Sequence, residues 1–526
     1  MSDQTLVDVL WRQAKTAGDQ VAVAKVSGAG EAQDLTYAGL YDGAKRLAGW
    51  LQHEVGLQTG DRVAILLDNN SVHEFFLSMA ACWVGGFVSV PMNARLAAPE
   101  LAYQLGHSGA RALVAAGPFE PKLSEASKGD GVEIRRVVGV DDVGVEWAWK
   151  RSGLSEALDS GHELTLPGPT PETLSDLIYT SGTTGLPKGA LFDHRACVIH
   201  GQMLREGLKI APESRILLAV PLFTSTGIHT IPMPFLAGGG TMLFETEFDP
   251  KQWVARAKKL RPNIYFGVPA MLALILQTAD EAELREVRGL ESIMFGGSSM
   301  PLSVAESLVD LFPGVGLWNL YGLTEGGPGG TALTPEFALQ HLSTVGKAMA
   351  GMEVRVVDGE RNPVEPGVEG EVAVRTPSRM REYFDRPDET AQTIDSEDWI
   401  YTGDIGRLDE EQFLTILDRK NDMIMRGGFN VYPAEVEAAL VSHADVAEAA
   451  VVGKPHAVLG EDVQAWVVVR DGAAITSEEI TAYAREALAD YKVPRDVRLV
   501  STLPRNAMGK VLRRDLRSAE TVEPTA

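Results

Sequence analysis

Apolar residues recur along this chain in alternating rhythms. Leu40, Ala44, Leu47 and Leu51 stand at i, i+4, i+7 and i+11, which is one stripe of a helix. The run at 63–67 (Val-Ala-Ile-Leu-Leu) is continuously apolar and of strand length, and a helix-like segment at 72–83 and a strand at 87–90 follow it. Strand, helix, strand is the order of a parallel sheet whose crossover helices cover its faces. The order continues through strands at 112–114 and 136–138. A polar connector bearing Pro and Gly, at about 155–175, then leads to the short apolar strand Leu177-Ile178-Tyr179. Strands at 216–220, 241–244, 263–266, 292–295 and 316–320 follow, separated by helices from about 250, 269 and 301 with prolines near their starts. From 345 to 375 the texture turns to short β-like runs divided by Gly and Pro. Beyond about 419 it is mixed α and β, ending in a polar tail at 518–526 expected to be disordered. The fold class expected is α/β. A large N-terminal domain of parallel-type sheets spans 1–420 and includes a small β-barrel at about 345–418, and a smaller α+β domain spans 421–526.

Composition narrows the function classes. With 526 residues the chain exceeds one compact core, and division by roughly 150 residues per domain gives about three structural units. A net charge of −24 argues against a nucleic-acid partner, since phosphate backbones are bound by basic faces. The two cysteines, Cys82 and Cys197, form neither a disulfide framework nor a zinc spacing, which suits a reducing, cytoplasmic setting. The N-terminus lacks the basic and apolar regions of a secretory leader. The most membrane-like stretch, 75–92, is interrupted by Ser78, Gly85, Gly86, Ser89 and Pro91, so it reads as helix, turn and strand, and no transmembrane segment is expected. Composition leaves the oligomeric state open, a homo-oligomer included.

The candidate chemistry is concentrated at 179–189, Tyr-Thr-Ser-Gly-Thr-Thr-Gly-Leu-Pro-Lys-Gly. Gly182 and Gly185 let successive backbone N–H groups turn toward one point. Thr180, Ser181, Thr183 and Thr184 add hydroxyl donors, and Lys188 adds charge without a rigid fork. Such a loop wraps an anion, and polyphosphate is its natural guest. No G-x-x-x-x-G-K-[ST] occurs in the chain, which disfavours an ordinary P-loop ATPase. Four further motifs follow: Asn319-Leu-Tyr321-Gly322-Leu-Thr324-Glu325; Trp399-Ile-Tyr-Thr-Gly-Asp404; Asp418-Arg419-Lys420-Asn421-Asp422 with Gly427-Gly428 beyond it; and Leu503-Pro-Arg-Asn-Ala-Met-Gly-Lys510-Val511.

Together these five motifs resemble those of the adenylate-forming superfamily, which comprises acyl-CoA synthetases, firefly-type luciferases and the adenylation domains of peptide synthetases. The resemblance is strongest to an acyl-CoA synthetase and covers nearly the whole chain. It implies that Tyr321 packs on adenine, Thr324 contacts the α-phosphate, and Glu325, with Thr184, holds Mg²⁺. It also implies that Asp404 accepts the ribose hydroxyls and that Arg419 lies near ribose and phosphates. The remaining ATP contacts implied are Thr180, Ser181, Gly182, Thr183, Lys188, Gly297, Ser298, Asn319 and Gly322. Lys510 is the implied catalytic lysine, on a C-terminal domain made mobile by a hinge at Asn421, where relatives carry Asp or Lys. The acyl pocket falls by position on Phe223, Thr226, His229, Thr230, Gly297, Gly322 and Pro328, and the pantetheine path on Gly427, Gly428 and Tyr491. One residue departs from the pattern: Thr224 stands where relatives usually have a histidine; His229, five residues on, is a candidate substitute, although a lone histidine on a helix is more often a packing residue.

The function expected on this basis is an ATP-dependent acid–thiol ligase. Carboxylic acid and Mg·ATP give acyl-AMP and pyrophosphate, and the acyl group passes to coenzyme A. Threonines and glycines at the pocket positions, with no Asp to meet an amino group, suit a fatty, aryl, alicyclic or steroid acid. The alternatives are a stand-alone ligase loading a carrier protein, a non-catalytic nucleotide or acyl-adenylate binder, and an oxidative, luciferase-like activity.

Overall fold

The computed structural model describes residues 3–141, 147–180, 186–420, 422–427, 429–456, 458–470, 472–505 and 511–518. The loop residues Ser181, Gly182, Thr183, Thr184 and Gly185, together with Asn421, Gly428, Lys510 and the tail at 519–526, lie outside them. Two compact units divide the chain: Met1–Val354 with Ala373–Tyr401, and Arg355–Val372 with Thr402–Ala526.

In the first unit the apolar run at 63–67 becomes the strand Arg62–Leu66, hydrogen-bonded in parallel to Val88–Pro91 on one side and Ala112–Ala115 on the other. Both faces are covered, which is why the run is apolar throughout rather than alternating. The eight-stranded sheet is ordered Glu382–Tyr383, Lys188–Asp193, Leu174–Thr180, Val88–Pro91, Arg62–Leu66, Ala112–Ala115, Arg136–Gly139, Arg151–Gly153. A nine-stranded sheet runs Lys347–Ala348, Gly330–Leu333, Gly316–Gly322, Ser292–Gly296, Ile264–Phe266, Arg215–Leu218, Thr241–Glu245, Val21–Ser27, Glu31–Thr36, parallel from Gly316–Gly322 to Val21–Ser27 and antiparallel at both edges.

The predicted helical stripe forms Tyr37–Trp50, where Thr36 caps the N-terminus by accepting from the Gly39 N–H, and Leu40, Ala44 and Leu47 are buried. The stretch at 75–92 is the buried helix Val72–Gly85, closed by Gly86 in the left-handed conformation (φ +66°), and the strand Val88–Pro91. No helix among the described residues is long and apolar enough to cross a membrane. Several elements have no counterpart in the periodicity reading, among them the helices Leu6–Thr16, Ala98–Ser108 and His194–Gly207. The hairpin Val21–Ser27 with Glu31–Thr36 has an exposed polar outer strand (Glu-Ala-Gln-Asp) that carries no alternation, and the helix Leu154–Asp159 overlaps the connector read at about 155–175.

In the second unit, Phe429–Val431, Ile424–Arg426, Gly460–Val469 and Val446–His456 make an antiparallel sheet that Asp496–Leu499 extends in parallel. Helix Pro433–Val441 buries Val436 and Leu440 with Val451, Val463 and Ala465. The 345–418 stretch supplies a four-stranded sheet ordered Glu353–Val357, Gly370–Arg375, Trp399–Leu408, Leu414–Arg419. The division between units falls within three of these strands, earlier than the 420/421 boundary drawn from texture. The physical ties are the Tyr432 hydroxyl donating to Glu369 (2.8 Å) and the Ala434 N–H donating to Asp418 (2.8 Å), which hold 369–418 to the residues after 430.

Candidate active site

Strands Leu174–Thr180 and Lys188–Asp193 pair antiparallel with Thr180 opposite Lys188, so they form the stem of a β-hairpin that brings the two ends of the glycine- and hydroxyl-rich stretch together. Its stem is anchored by aromatic side chains. Tyr103 donates to the Pro187 carbonyl (3.0 Å), and His107 Nδ1 lies 2.8 Å from the Tyr179 hydroxyl. On the other side, Glu382–Tyr383 pairs with the return strand, with Tyr383 opposite Ala190.

Tyr383 links two of the sequence motifs. The Lys188 ammonium lies 4.7 Å from its ring centroid, within cation–π range, and its hydroxyl donates to Glu325 Oε1 at 2.6 Å. Burial and the adjacent Glu325 carboxylate push the phenol well up, which keeps it a donor at neutral pH. Glu325 lies on the short 3₁₀ turn Thr324–Gly326, directly after strand Gly316–Gly322. Among the described residues its second oxygen, Oε2, makes no hydrogen bond or ion pair. A half-exposed carboxylate oxygen of this kind is the donor type that Mg²⁺ takes, so the residues present fit the ion.

Gly297 and Gly322 lie at the carboxyl ends of the neighbouring parallel strands Ser292–Gly296 and Gly316–Gly322, the side on which open α/β sheets bind ligands. Both are exposed, as is Ser298. Gly297 has φ +82° and no atom within 4 Å of where a Cβ would be. A Cβ on Gly322 would sit 2.6 Å from the Pro328 carbonyl oxygen, so the turn after this strand closes only on glycine. Tyr321 is half-buried beside it, opposite Thr331, whereas Asn319 is buried and donates to the Thr344 carbonyl at 3.2 Å.

Phe223 follows the strand Arg215–Leu218, and Thr226 and Thr230 lie on the π-helical turn Thr226–Thr230. Thr224 caps that turn, accepting from the Gly227 N–H (3.0 Å) and donating to the Pro221 carbonyl (2.8 Å). His229 points into the interior. It is 1% exposed, and its Nε2 lies 3.3 Å from Asp176 Oδ2 and 3.6 Å from Cys197 Sγ. These contacts give His229 a packing role, the commoner of the two readings of a lone histidine on a helix. Asp176, Cys197 and His229 are mutually within 4.8 Å, but the carboxylate already accepts from Trp83 (3.1 Å), Ser89 (2.6 Å) and Ser175 (2.9 Å). Burial alone would raise Asp176, yet these donors and His229 hold it well below the usual carboxylate range. The cluster is a satisfied polar node beneath the hairpin.

In the second unit Asp404 and Arg419 face each other across the antiparallel strands Trp399–Leu408 and Leu414–Arg419, with Arg419 Nε 2.8 Å from Asp404 Oδ1. Gly403 takes φ +71° within its strand just before the carboxylate, and its N–H donates to Glu371. Gly427 adopts φ +59° and donates to the Leu459 carbonyl at 2.8 Å. Tyr491 stacks on Phe429, ring centroids 4.8 Å apart.

Sequence reasoning missed Tyr383, Tyr103 and Asp176. Tyr383 sits in a stretch of mixed apolar and charged residues with no regular period, Met-Arg-Glu-Tyr-Phe-Asp, and only the strand pairing brings it to the hairpin.

The model of the AMP-binding enzyme family matches residues 10–384, and that of the AMP-binding enzyme C-terminal domain matches 435–510. A feruloyl-CoA synthase from Amycolatopsis sp is 33% identical over 491 residues, 92% of this chain and 93% of that protein. The fatty acid–[acyl-carrier-protein] ligase ScoC of Streptomyces coeruleorubidus is 36% identical over 498 residues, 93% of this chain and 92% of its own. Among solved structures, o-succinylbenzoate CoA synthetase (MenE) from Bacillus subtilis, in complex with the acyl-adenylate intermediate OSB-AMP, superposes with a TM-score of 0.86 at 28% identity, covering 99% of this chain and 100% of that one. With a family model spanning most of its length and relatives above 30% identity along it, this chain belongs to the AMP-binding enzyme family.

Proposed function

We propose that the protein is an ATP-dependent acid–thiol ligase that makes an acyl-adenylate and passes the acyl group to coenzyme A. The observation that carries this reading is the meeting of Lys188 and Glu325 at Tyr383, which sets a cation and a carboxylate beside an anion-wrapping hairpin. The kinship with enzymes named for joining acids to CoA supports it.

In the first step a carboxylate oxygen of the acid attacks the α-phosphorus of ATP and the bond to pyrophosphate breaks. Lys188 and the hydroxyls Thr180, Ser181, Thr183 and Thr184 hold the phosphates, Thr324 the α-phosphate, Tyr321 the adenine and Asp404 with Arg419 the ribose; Gly297, Ser298, Asn319 and Gly322 complete the contacts. Glu325 with Thr184 would hold Mg²⁺, which when bound offsets the phosphate charge. Lys510 bridges the two anions as they meet, and its loss costs about 3 kcal/mol, or roughly 10²–10³ in rate. In the second step the thiol attacks the acyl carbon and AMP leaves. Residues 421–526 pivot near Asn421 between the steps, withdrawing Lys510 and presenting Gly427, Gly428 and Tyr491 to pantetheine.

The acid is an uncharged fatty, aryl or alicyclic body held by Phe223, Thr226 and Thr230 between Gly297, Gly322 and Pro328. The setting is cytoplasmic, in keeping with Cys82 and Cys197 both being free and buried. A second reading, acyl transfer to a carrier protein, is favoured by the likeness to ScoC.

Pyrophosphate release across a panel of fatty, aromatic and steroid acids, with CoA, with a holo-carrier protein or with neither, in wild type and Lys510→Ala, tests the proposal. Lysine-dependent release stimulated by CoA on one acid class is expected. Stimulation by the carrier alone would install the second reading, and no release from any acid would defeat both.

A further inference from the structure

Residues 378–384 run as a strap between two motifs far apart in the chain. At one end the Ser378 hydroxyl donates to the Gly326 carbonyl (3.1 Å) and the Met380 N–H to the Glu325 carbonyl (2.8 Å). At the other, the Arg381 N–H donates to the Leu191 carbonyl (2.7 Å) and the Phe384 N–H to the Gly189 carbonyl (2.8 Å), on the return strand of the hairpin. The strap's backbone thus fixes where the Glu325 turn stands relative to Lys188. Its one side chain that touches both is Tyr383, 5% exposed, with its ring against the Lys188 ammonium at 4.7 Å and its hydroxyl on Glu325 Oε1 at 2.6 Å.

We infer that Tyr383 is a positioning residue for nucleotide binding. Its hydroxyl donates to Oε1 of Glu325 and fixes the carboxylate, leaving Oε2 as the oxygen that would hold Mg²⁺, while its ring holds the Lys188 ammonium at the start of its strand. The inference rests on the proposed roles of Glu325 and Lys188. The two contacts come from different parts of one side chain, so they separate by substitution. Tyr383→Phe removes only the hydroxyl, and Tyr383→Leu removes the ring as well.

The test is ATP binding by titration calorimetry, without any acid, in EDTA and across a Mg²⁺ series, for wild type, Tyr383→Phe, Tyr383→Leu, Glu325→Gln and the double variant Tyr383→Phe/Glu325→Gln. Tyr383→Phe should bind ATP in EDTA as wild type does but need about tenfold more Mg²⁺ for the same gain in affinity, the scale of a lost hydrogen bond to a charged group. Tyr383→Leu should also lose about threefold in EDTA through the missing cation–π contact. In the Glu325→Gln background the Phe substitution should add nothing, the mark of two residues acting through one contact. A folded Tyr383→Phe with the wild-type Mg²⁺ response, or additivity in the double variant, overturns the inference and leaves the ligase reading standing. Wild type that binds ATP with no Mg²⁺ effect removes the role of Glu325 and this inference with it. Wild type that binds no ATP removes the ligase reading as a whole.

Discussion

His194 shows how a single buried residue ties this protein's stability to pH. It is fully buried at the start of helix His194–Gly207, and its Nδ1 accepts the Leu6 N–H at 3.2 Å, an arrangement only the neutral ring sustains. Burial lowers its pKa to about 4, against the opposing pull of Asp176 and Asp8. An unfolded histidine titrates near 6.5, so between about pH 6.5 and 4 the unfolded chain binds the extra proton and stability falls as pH falls. Asn at this position can accept the same hydrogen bond without titrating. His194→Asn should therefore flatten the acid limb, and the gap between wild type and variant should shift by up to about 3 kcal/mol between pH 7 and 4 in urea melts. Parallel profiles would show that the imidazole is not the source.

At the scale of an element, the turn Thr226–Thr230 is held at its start by Thr224. Its hydroxyl satisfies the Gly227 N–H that the turn leaves open and ties back to the Pro221 carbonyl. Thr224→Val keeps the shape and loses both bonds, so a loss of about 1 kcal/mol in a denaturant melt is expected, while Thr224→Ser should lie within a few tenths of wild type. Equal stabilities of Val and Ser variants would remove the capping account. The same turn carries His229 to Asp176, four residues before Thr180 on the strand that feeds the hairpin. The proposed acyl-pocket turn and the phosphate hairpin are thus built on one buried polar node.

At the scale of the whole molecule, the second unit is closed on itself by Arg513. From helix Arg513–Ser518 it reaches Glu437 with two bonds (2.7 and 2.8 Å) and Asp422 at 3.2 Å, and Arg517 adds a contact to Asp422 at 3.3 Å. Sequence texture marks Arg513 and Arg514 alike as basic neighbours of Lys510. The structure separates them, with Arg514 exposed and Arg513 partly buried among carboxylates. Arg513→Met leaves Glu437 without its cation and Asp422 with Arg517 alone, at a cost of about 2–3 kcal/mol. Limited proteolysis should then cut faster within 422–518 while 10–384 resists as before, and an unchanged digest would count against the clasp.

The sequence by itself determined the features that depend on neighbours in the chain. The apolar runs at 63–67, 216–220 and 292–295 read as strands of a parallel sheet, and the Gly-hydroxyl-Lys composition of 179–189 points to an anion. The order of five motifs likewise identified the family from residues alone. Tertiary structure decided what depends on distance across the fold. Pairing of Tyr383 with Ala190 carries a tyrosine from an unpatterned stretch to Lys188 and Glu325. Burial sets His229 against Asp176, and the chain divides at 354, 372 and 401 rather than at one point, because segments far apart in sequence pack together. The physical reason is the same in each case. Periodicity and turn chemistry act over a few residues and are written into the sequence, whereas a hydrogen bond between residues 58 apart, such as Tyr383 to Glu325, exists only once the strands between them are in register.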